Sequence, residues 1–127
     1  MPGPGMQRDP AYPQMTKWQD AKKSVVNRDG GKCLKCRKVA TDVHHRRPRG
    51  MGGTSDDHIS YGMANLVSLC RTCHDWVHAN PWPSYTLGWL VKTGEDPDDV
   101  PIYTDADVII KLLPDGTTKM QACGLRF

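Results

Sequence analysis

Between Thr16 and Asp29 the apolar residues Trp18, Ala21, Val25 and Val26 recur at helical intervals, with Lys22, Lys23 and Arg28 on the wet side. That period of about 3.6 residues predicts a helix over 16–29. Both ends carry stop signals: Thr16 and Gln19 have capping-box spacing, and Gly30-Gly31 closes the run. The pattern then changes. Val39 to His45 reads as a short extended run, and Asn65-Leu-Val-Ser-Leu-Cys70 as a second short strand. Residues 46–64 between them read as a long loop, broken by Pro48, Gly50, Gly52, Gly53 and Gly62. A loop this long without structure of its own is usually functional. Arg71 to Asn80 predicts a short helix stopped by Pro81 and Pro83. Beyond it, Tyr85 to Val91 predicts a helical piece interrupted by Gly88, and Asp96 to Asp107 an acidic loop. Val108–Leu113 and Thr117–Gln121 flank Pro114-Asp115-Gly116 as a β-hairpin. Residues 1–14 are rich in Pro and Gly, lack periodicity and read as a disordered leader.

Composition sharpens this picture at one point. A single Phe accompanies four Trp and four Tyr, while Gly and Pro number twelve and ten. The apolar core is therefore thin, and the fold needs help from another kind of cross-link. Charged residues make up 24% of the chain, and mean hydropathy is −0.59. No run of 18 apolar residues exists and the first twenty lack a hydrophobic segment, which predicts a cytoplasmic protein without a membrane span or secretory signal. The net charge of +3 is unevenly spread: residues 16–50 hold eleven Lys/Arg against three acids, net +8, whereas residues 80–127 hold four against seven, net −3. The basic segment ends at a histidine pair, where positive potential suits a polyanion.

The cross-link is legible in the cysteines. Cys33-Leu-Lys-Cys36 returns as Cys70-Arg-Thr-Cys73, with 33 residues between the pairs. A two-residue spacer lets each pair chelate through one tight turn, and two such pairs read as one tetrahedral zinc site that supplies folding energy. Cys123 is left over. His44 and His45 are adjacent on the extended run, so their side chains leave on opposite faces and do not readily serve one ion. His74 and His78, four apart on the predicted helix, share one face and can converge on a metal. Histidines close to the zinc site yet surplus to it point to a second metal centre with an open face. His58 reads as a solvated histidine of the loop, and Trp76, Trp82 and Trp89 as core rather than base-stacking residues.

The combination resembles the HNH endonucleases, the ββα-metal superfamily. The resemblance rests on Val-His-His-Arg-Arg-Pro-Arg-Gly-Met-Gly-Gly from Val43, on Asn-Leu-Val-Ser-Leu-Cys-Arg-Thr-Cys-His from Asn65, and on the two flanking cysteine pairs. It covers about residues 20–80 and is similar to small phage and actinobacterial proteins. It implies an α+β fold: a zinc-stapled ββα-metal finger with an N-terminal helix and a small helix/β-hairpin extension. It also implies a nuclease core over 15–80 and an extension over 81–127 that packs on it. By position, His44, His74 and His78 resemble ligands of a catalytic divalent ion (Mg²⁺, Mn²⁺, Ni²⁺ or Zn²⁺), and His45 the general base. Asn65 resembles the residue that braces the loop. Cys33, Cys36, Cys70 and Cys73 resemble the structural Zn²⁺ ligands.

The resemblance implies metal-dependent hydrolysis of DNA, leaving 5′-phosphate and 3′-hydroxyl ends. Arg46, Arg47 and Arg49 lie immediately past the base and are expected to contact the DNA backbone. One site per chain predicts nicking by a monomer or weak dimer. Small phage HNH proteins often accompany the terminase that packages DNA, which makes a phage protein acting in a bacterial host the expected setting. Two alternatives stand beside this: a zinc module that binds DNA without cutting it, and a restriction-type HNH nuclease.

Overall fold

The structure is a computed structural model of the chain and describes residues 16–48 and 56–122. The expected leader over 1–14, Arg49 and Cys123 lie outside the described residues.

The first helix, α1 (Lys17–Asp29), begins where the capping box placed it. The Gln19 amide donates to Thr16 Oγ1 at 3.1 Å, and Gln19 Oε1 accepts from the Thr16 amide at 2.8 Å. Gly30 closes the helix at φ +66°, a left-handed conformation that glycine adopts without strain. Ala21 and Val25 are buried against Leu66. Arg28 departs from the wet face expected of it, because its side chain is only 6% exposed. It donates to the Met63 and Leu66 carbonyls and to both carboxylate oxygens of Asp29, and Asp29 Oδ2 also accepts from the Ser68 amide. The helix end is thereby tied to the second strand.

Strands β1 (Asp42–His45) and β2 (Leu66–Leu69) pair antiparallel, with Asp42 opposite Leu69 and His45 opposite Leu66. All four β2 residues are buried. Leu66 packs toward α1, whereas Val67 and Leu69 enter the main core with Leu34, Val77, Trp89 and Ile102. Strand alternation explains this division, since neighbours in a strand face opposite ways. The segment joining the strands is not wholly irregular: α2 (Asp57–Ser60) forms one turn before β2. Cys70 caps α3 (Arg71–Ala79), which completes a β–β–α unit directly after the sheet.

Pro81 and Pro83 do not merely stop α3. Pro81 opens α4 (Pro81–Leu87), because a proline in the first helical turn lacks only an amide that would go unpaired anyway. The helical piece expected at Tyr85–Val91 therefore lies earlier, and Gly88 ends it at φ +85°. A Cβ at Gly88 would lie 2.0 Å from the Pro101 carbonyl oxygen, so the chain beyond can fold back only over glycine. Trp89 then enters the core fully buried, whereas Trp82 is 73% exposed, against expectation. The acidic loop holds a 3₁₀ turn (Pro97–Asp99) and β3 (Ile102–Tyr103). Strand β3 joins β4 (Val108–Leu112) and β5 (Thr118–Ala122) in an antiparallel sheet of order β3-β4-β5. Ile102, Ile110 and Leu112 share one core with Val67 and Leu69. No helix among the described residues is long and apolar enough to cross a membrane.

Candidate metal centre and active site

The two cysteine pairs meet. Cys33–Cys36 turns tightly, with the Arg37 amide donating to the Cys33 carbonyl at 2.9 Å and Arg37 at φ +71°. Cys70 and Cys73 sit at the start of α3, and the four Sγ atoms lie within 4.8 Å of one another. Cys36 Sγ and Cys70 Sγ are 3.7 Å apart. A tetrahedral zinc with Zn–S bonds of about 2.3 Å needs sulfurs about 3.8 Å apart, so the thiols fit the ion. Their acidities differ with their surroundings. The Cys73 amide, donating to Cys70 Sγ, pulls that thiol down to about 7 against the effect of burial. Burial, reinforced by the neighbouring sulfurs, pushes Cys73 well above the usual thiol range. Four sulfurs crowded in this way favour a cation, which lets all of them ionise together.

The histidines form a second cluster. Strand alternation sends His44 inward, where its ring meets His74 and His78 with centroids 5.0 Å and 5.4 Å away. The His74 and His78 rings, one helical turn apart, are 4.9 Å from each other. One ring nitrogen from each of the three lies within 4.8 Å of the others. The outer partners set which nitrogen is offered. His44 Nε2 donates to the Trp89 carbonyl at 2.8 Å, which leaves the lone pair on Nδ1. His74 Nδ1 donates to Asp42 Oδ2 at 2.7 Å, which leaves Nε2. A carbonyl or carboxylate behind the imidazole is the usual support of a metal-binding histidine. Burial drives His44 down to about 3, opposed by the Trp89 carbonyl and reinforced by His74, His78 and His45. Burial also lowers His78, with His74 adding to the shift. Both rings are thus neutral at physiological pH, the form that ligates a metal. Burial would raise the Asp42 carboxyl, but hydrogen bonds from His74 and Thr41 and the charge of Arg71 outweigh it and hold it below the usual range.

His45 leaves β1 on the other face. Its Nε2 donates to the Ser60 carbonyl at 3.0 Å, and its ring stacks on Trp18 with centroids 5.1 Å apart at 18°. Asn65 is fully buried. It bridges two segments: Oδ1 accepts from the Arg47 amide at 2.7 Å, while Nδ2 donates to the Arg47 and Ile59 carbonyls at 3.0 and 2.8 Å. It thus fastens the chain just past His45 to the turn that carries Ser60.

The three arginines divide. Arg46 does not reach the surface, contrary to the expectation of DNA contact: it is 0% exposed. Its guanidinium donates to the carbonyls of Gly88, Ala64, Pro97 and Val100, joining three segments of the C-terminal half to the end of β1. Burial lowers its pKa to about 9, with Arg28 pushing the same way and Asp98 opposing, so it stays charged at neutral pH. Arg47 is half-buried and reaches the Glu95 carbonyl at 3.4 Å. Arg49 lies outside the described residues. His58 is no free solvated histidine: its Nε2 meets Asp96 at 3.0 Å and Asp98 at 3.2 Å.

Sequence reasoning missed Asp42 and Trp18. Asp42 carried a usable signal, since it precedes His44 by two residues on the same strand and so shares its face. Trp18 carried none, because nothing local links α1 to the end of β1.

A groove opens along β1 between α1 and α3, with Trp18, Lys22, Thr41, Asp42, Arg71 and His74 among its walls. It reaches His74 on one side and the Trp18 platform beneath His45 on the other.

Comparison with known proteins gives one family. Residues 32–80 match the family model described as HNH endonuclease. Neither the curated proteins nor the solved structures hold a match. The matched span runs from the first cysteine pair to the end of α3 and so contains both the four-cysteine cluster and the trio of imidazoles. That family uses a divalent cation, and the trio of imidazoles stands where one could be held. Residues 32–80 of this chain are a domain of the HNH endonuclease family, a family of nucleases.

Proposed function

We propose that the protein hydrolyses DNA phosphodiester bonds at the end of β1, with His45 as general base and His44, His74 and His78 as ligands of a divalent cation. The observation that carries this is the division at His44–His45, one imidazole joining His74 and His78 and the next held apart by the Ser60 carbonyl. His45, anchored at Nε2 by the Ser60 carbonyl, takes the proton of an attacking water. The Asn65 bridge keeps the Ser60 turn and the chain after His45 in register, so Asn65 positions the base and does not react. A divalent ion held by the histidines supplies Lewis-acid stabilisation of the charge that grows on phosphate and leaving oxygen. Cys33, Cys36, Cys70 and Cys73 hold a structural zinc that fixes the start of α3, and with it His74 and His78. Products carry 5′-phosphate and 3′-hydroxyl ends.

Lys22 and Arg71 on the groove walls, together with Arg47 and Arg49, supply backbone affinity that weakens with salt. One site per chain makes the enzyme a nickase as a monomer or weak dimer. Residues 15–80 act as the nuclease core and 81–127 as an extension that buttresses it. The resemblance of its motifs to those of small phage HNH proteins favours a phage enzyme that works beside the terminase in the bacterial cytoplasm.

Relaxation of supercoiled plasmid in Mg²⁺ or Mn²⁺ tests the reading. Cleavage should vanish with EDTA and with His45→Ala. If wild type and His45→Ala both retard DNA and neither cuts it, the protein is a zinc-containing binding module instead.

A further inference from the structure

We propose that Trp18 is a positioning residue for the reaction, holding the His45 imidazole at the tilt from which it meets the attacking water. This rests on the reading of His45 as the base. The Ser60 hydrogen bond fixes a point in the ring plane, at 3.0 Å from Nε2, and does not by itself define the tilt of the ring. The indole acts on the complementary coordinate: it lies nearly parallel to the imidazole, 18° away, with centroids 5.1 Å apart. One contact anchors the edge of the ring, and the other bears on its face.

The indole is itself well anchored. Trp18 sits in the first turn of α1, directly after the Thr16–Gln19 capping box. It packs on the cluster of Ala21, Val25 and Leu66, so its backbone is tied to the strand opposite His45. One turn on, Lys22 places Nζ 5.7 Å from the indole centroid, which further limits the ring's freedom. The family match starts at residue 32, beyond the end of α1, so it assigns no role to this residue. Trp18 also lines the groove along β1, and a direct DNA contact is the rival outcome that the experiment must separate.

The test uses the full chain loaded with zinc, in wild-type, Trp18→Leu and Trp18→Phe forms. Single-turnover nicking at saturating protein gives the rate, and gel retardation without the catalytic cation gives DNA affinity. Trp18→Leu should lower the rate roughly 10- to 100-fold, the scale set by a misplaced reacting group. Its affinity should stay within about twofold, since binding energy comes from the phosphate contacts. Trp18→Phe, which keeps a ring face, should recover most of the rate. In the inactive His45→Ala background Trp18→Leu should leave DNA affinity unchanged. An upfield ring-current shift of the His45 ring protons in the NMR spectrum, lost in Trp18→Leu, reports the stack without reference to cleavage.

Wild-type rates in Trp18→Leu, with His45→Ala inactive, would overturn the proposal and leave the base intact. Loss of affinity at an unchanged rate would make Trp18 a DNA contact, and a loss of affinity in the His45→Ala background would do the same. Equal failure of Leu and Phe alongside a lowered melting temperature would reduce Trp18 to packing. An active His45→Ala enzyme would instead sink the base itself. Should Trp18→Leu not fold, Trp18→Met keeps the bulk without a ring and takes its place.

Discussion

Replacing Arg46 by methionine removes a buried fork of donors while keeping most of its volume. Four carbonyls then lose a charged partner: Gly88 and Ala64 at 2.8 Å, Pro97 at 3.1 Å, and Val100. A hydrogen bond from a charged group contributes about 1.5–3 kcal/mol, so a plain sum over four bonds reaches roughly 6–12 kcal/mol. That sum is too large, because burying the guanidinium itself costs several kcal/mol, which its removal returns. Breaking a buried charged network by removing one member costs about 3–5 kcal/mol, and we expect Arg46→Met to fall there. Against a total stability of about 5–15 kcal/mol, the loss is large. Arg46→Lys, with a single ammonium able to reach only some of the carbonyls, should lie roughly halfway. Urea denaturation of the zinc-loaded protein measures the effect as a fall in midpoint at unchanged slope. Titration of DNA with salt supplies the control: Arg46→Met, where still folded, should keep the wild-type dependence. By contrast, Arg47→Ala should flatten that dependence by up to about 0.9 in log K per log salt. An Arg46→Met protein as stable as wild type but with a flattened salt dependence would place Arg46 on the DNA and refute the burial argument.

The cysteine cluster and the general base should separate by mutation: Cys33→Ser loses zinc and its cooperative thermal transition together, whereas His45→Ala melts within about 1 kcal/mol of wild type yet does not cleave. Metal analysis alongside melting curves checks both, and equal destabilisation would mean the roles are misassigned. Asp42→Asn removes the carboxylate behind His74 and should weaken binding of Mn²⁺ or Ni²⁺ roughly 10- to 100-fold by calorimetry, with the cysteine-bound zinc retained. His58 gives a pH signature. The hydrogen bond to Asp96 raises its pKa, against burial and with help from Asp98, Asp96 and Asp56. A raised folded pKa means the pairing contributes fully below the unfolded histidine value of about 6.5 and fades as pH climbs through the folded value. His58→Gln should therefore be less stable than wild type at pH 6 and level with it at pH 9. The difference should stay below about 1 kcal/mol because water screens the pair. A gap that widens with pH would contradict the ion pair.

The sequence alone determined whatever depends on near neighbours in the chain. The period of Trp18, Ala21 and Val25, with Thr16 and Gly30 at its ends, specified α1. The CxxC spacings specified two chelating turns, and the His44–His45 step specified a division between faces, because strand geometry admits no other outcome for adjacent residues. A helical offset of four likewise put His74 beside His78.

Tertiary structure decided what depends on distant segments. Arg46 reads as one of three surface arginines in a basic run, yet its partners lie 18 to 54 residues away, and only their convergence buries it. Asp42 behind His74 and Trp18 against His45 have the same origin. Pro81 shows the limit at short range, since a proline after a helix reads equally well as an end and as a beginning. Local spacing fixes which way a side chain leaves the backbone. What it meets there is set by the packing of a thin core around the cysteine and histidine clusters, and no short window of residues contains that information.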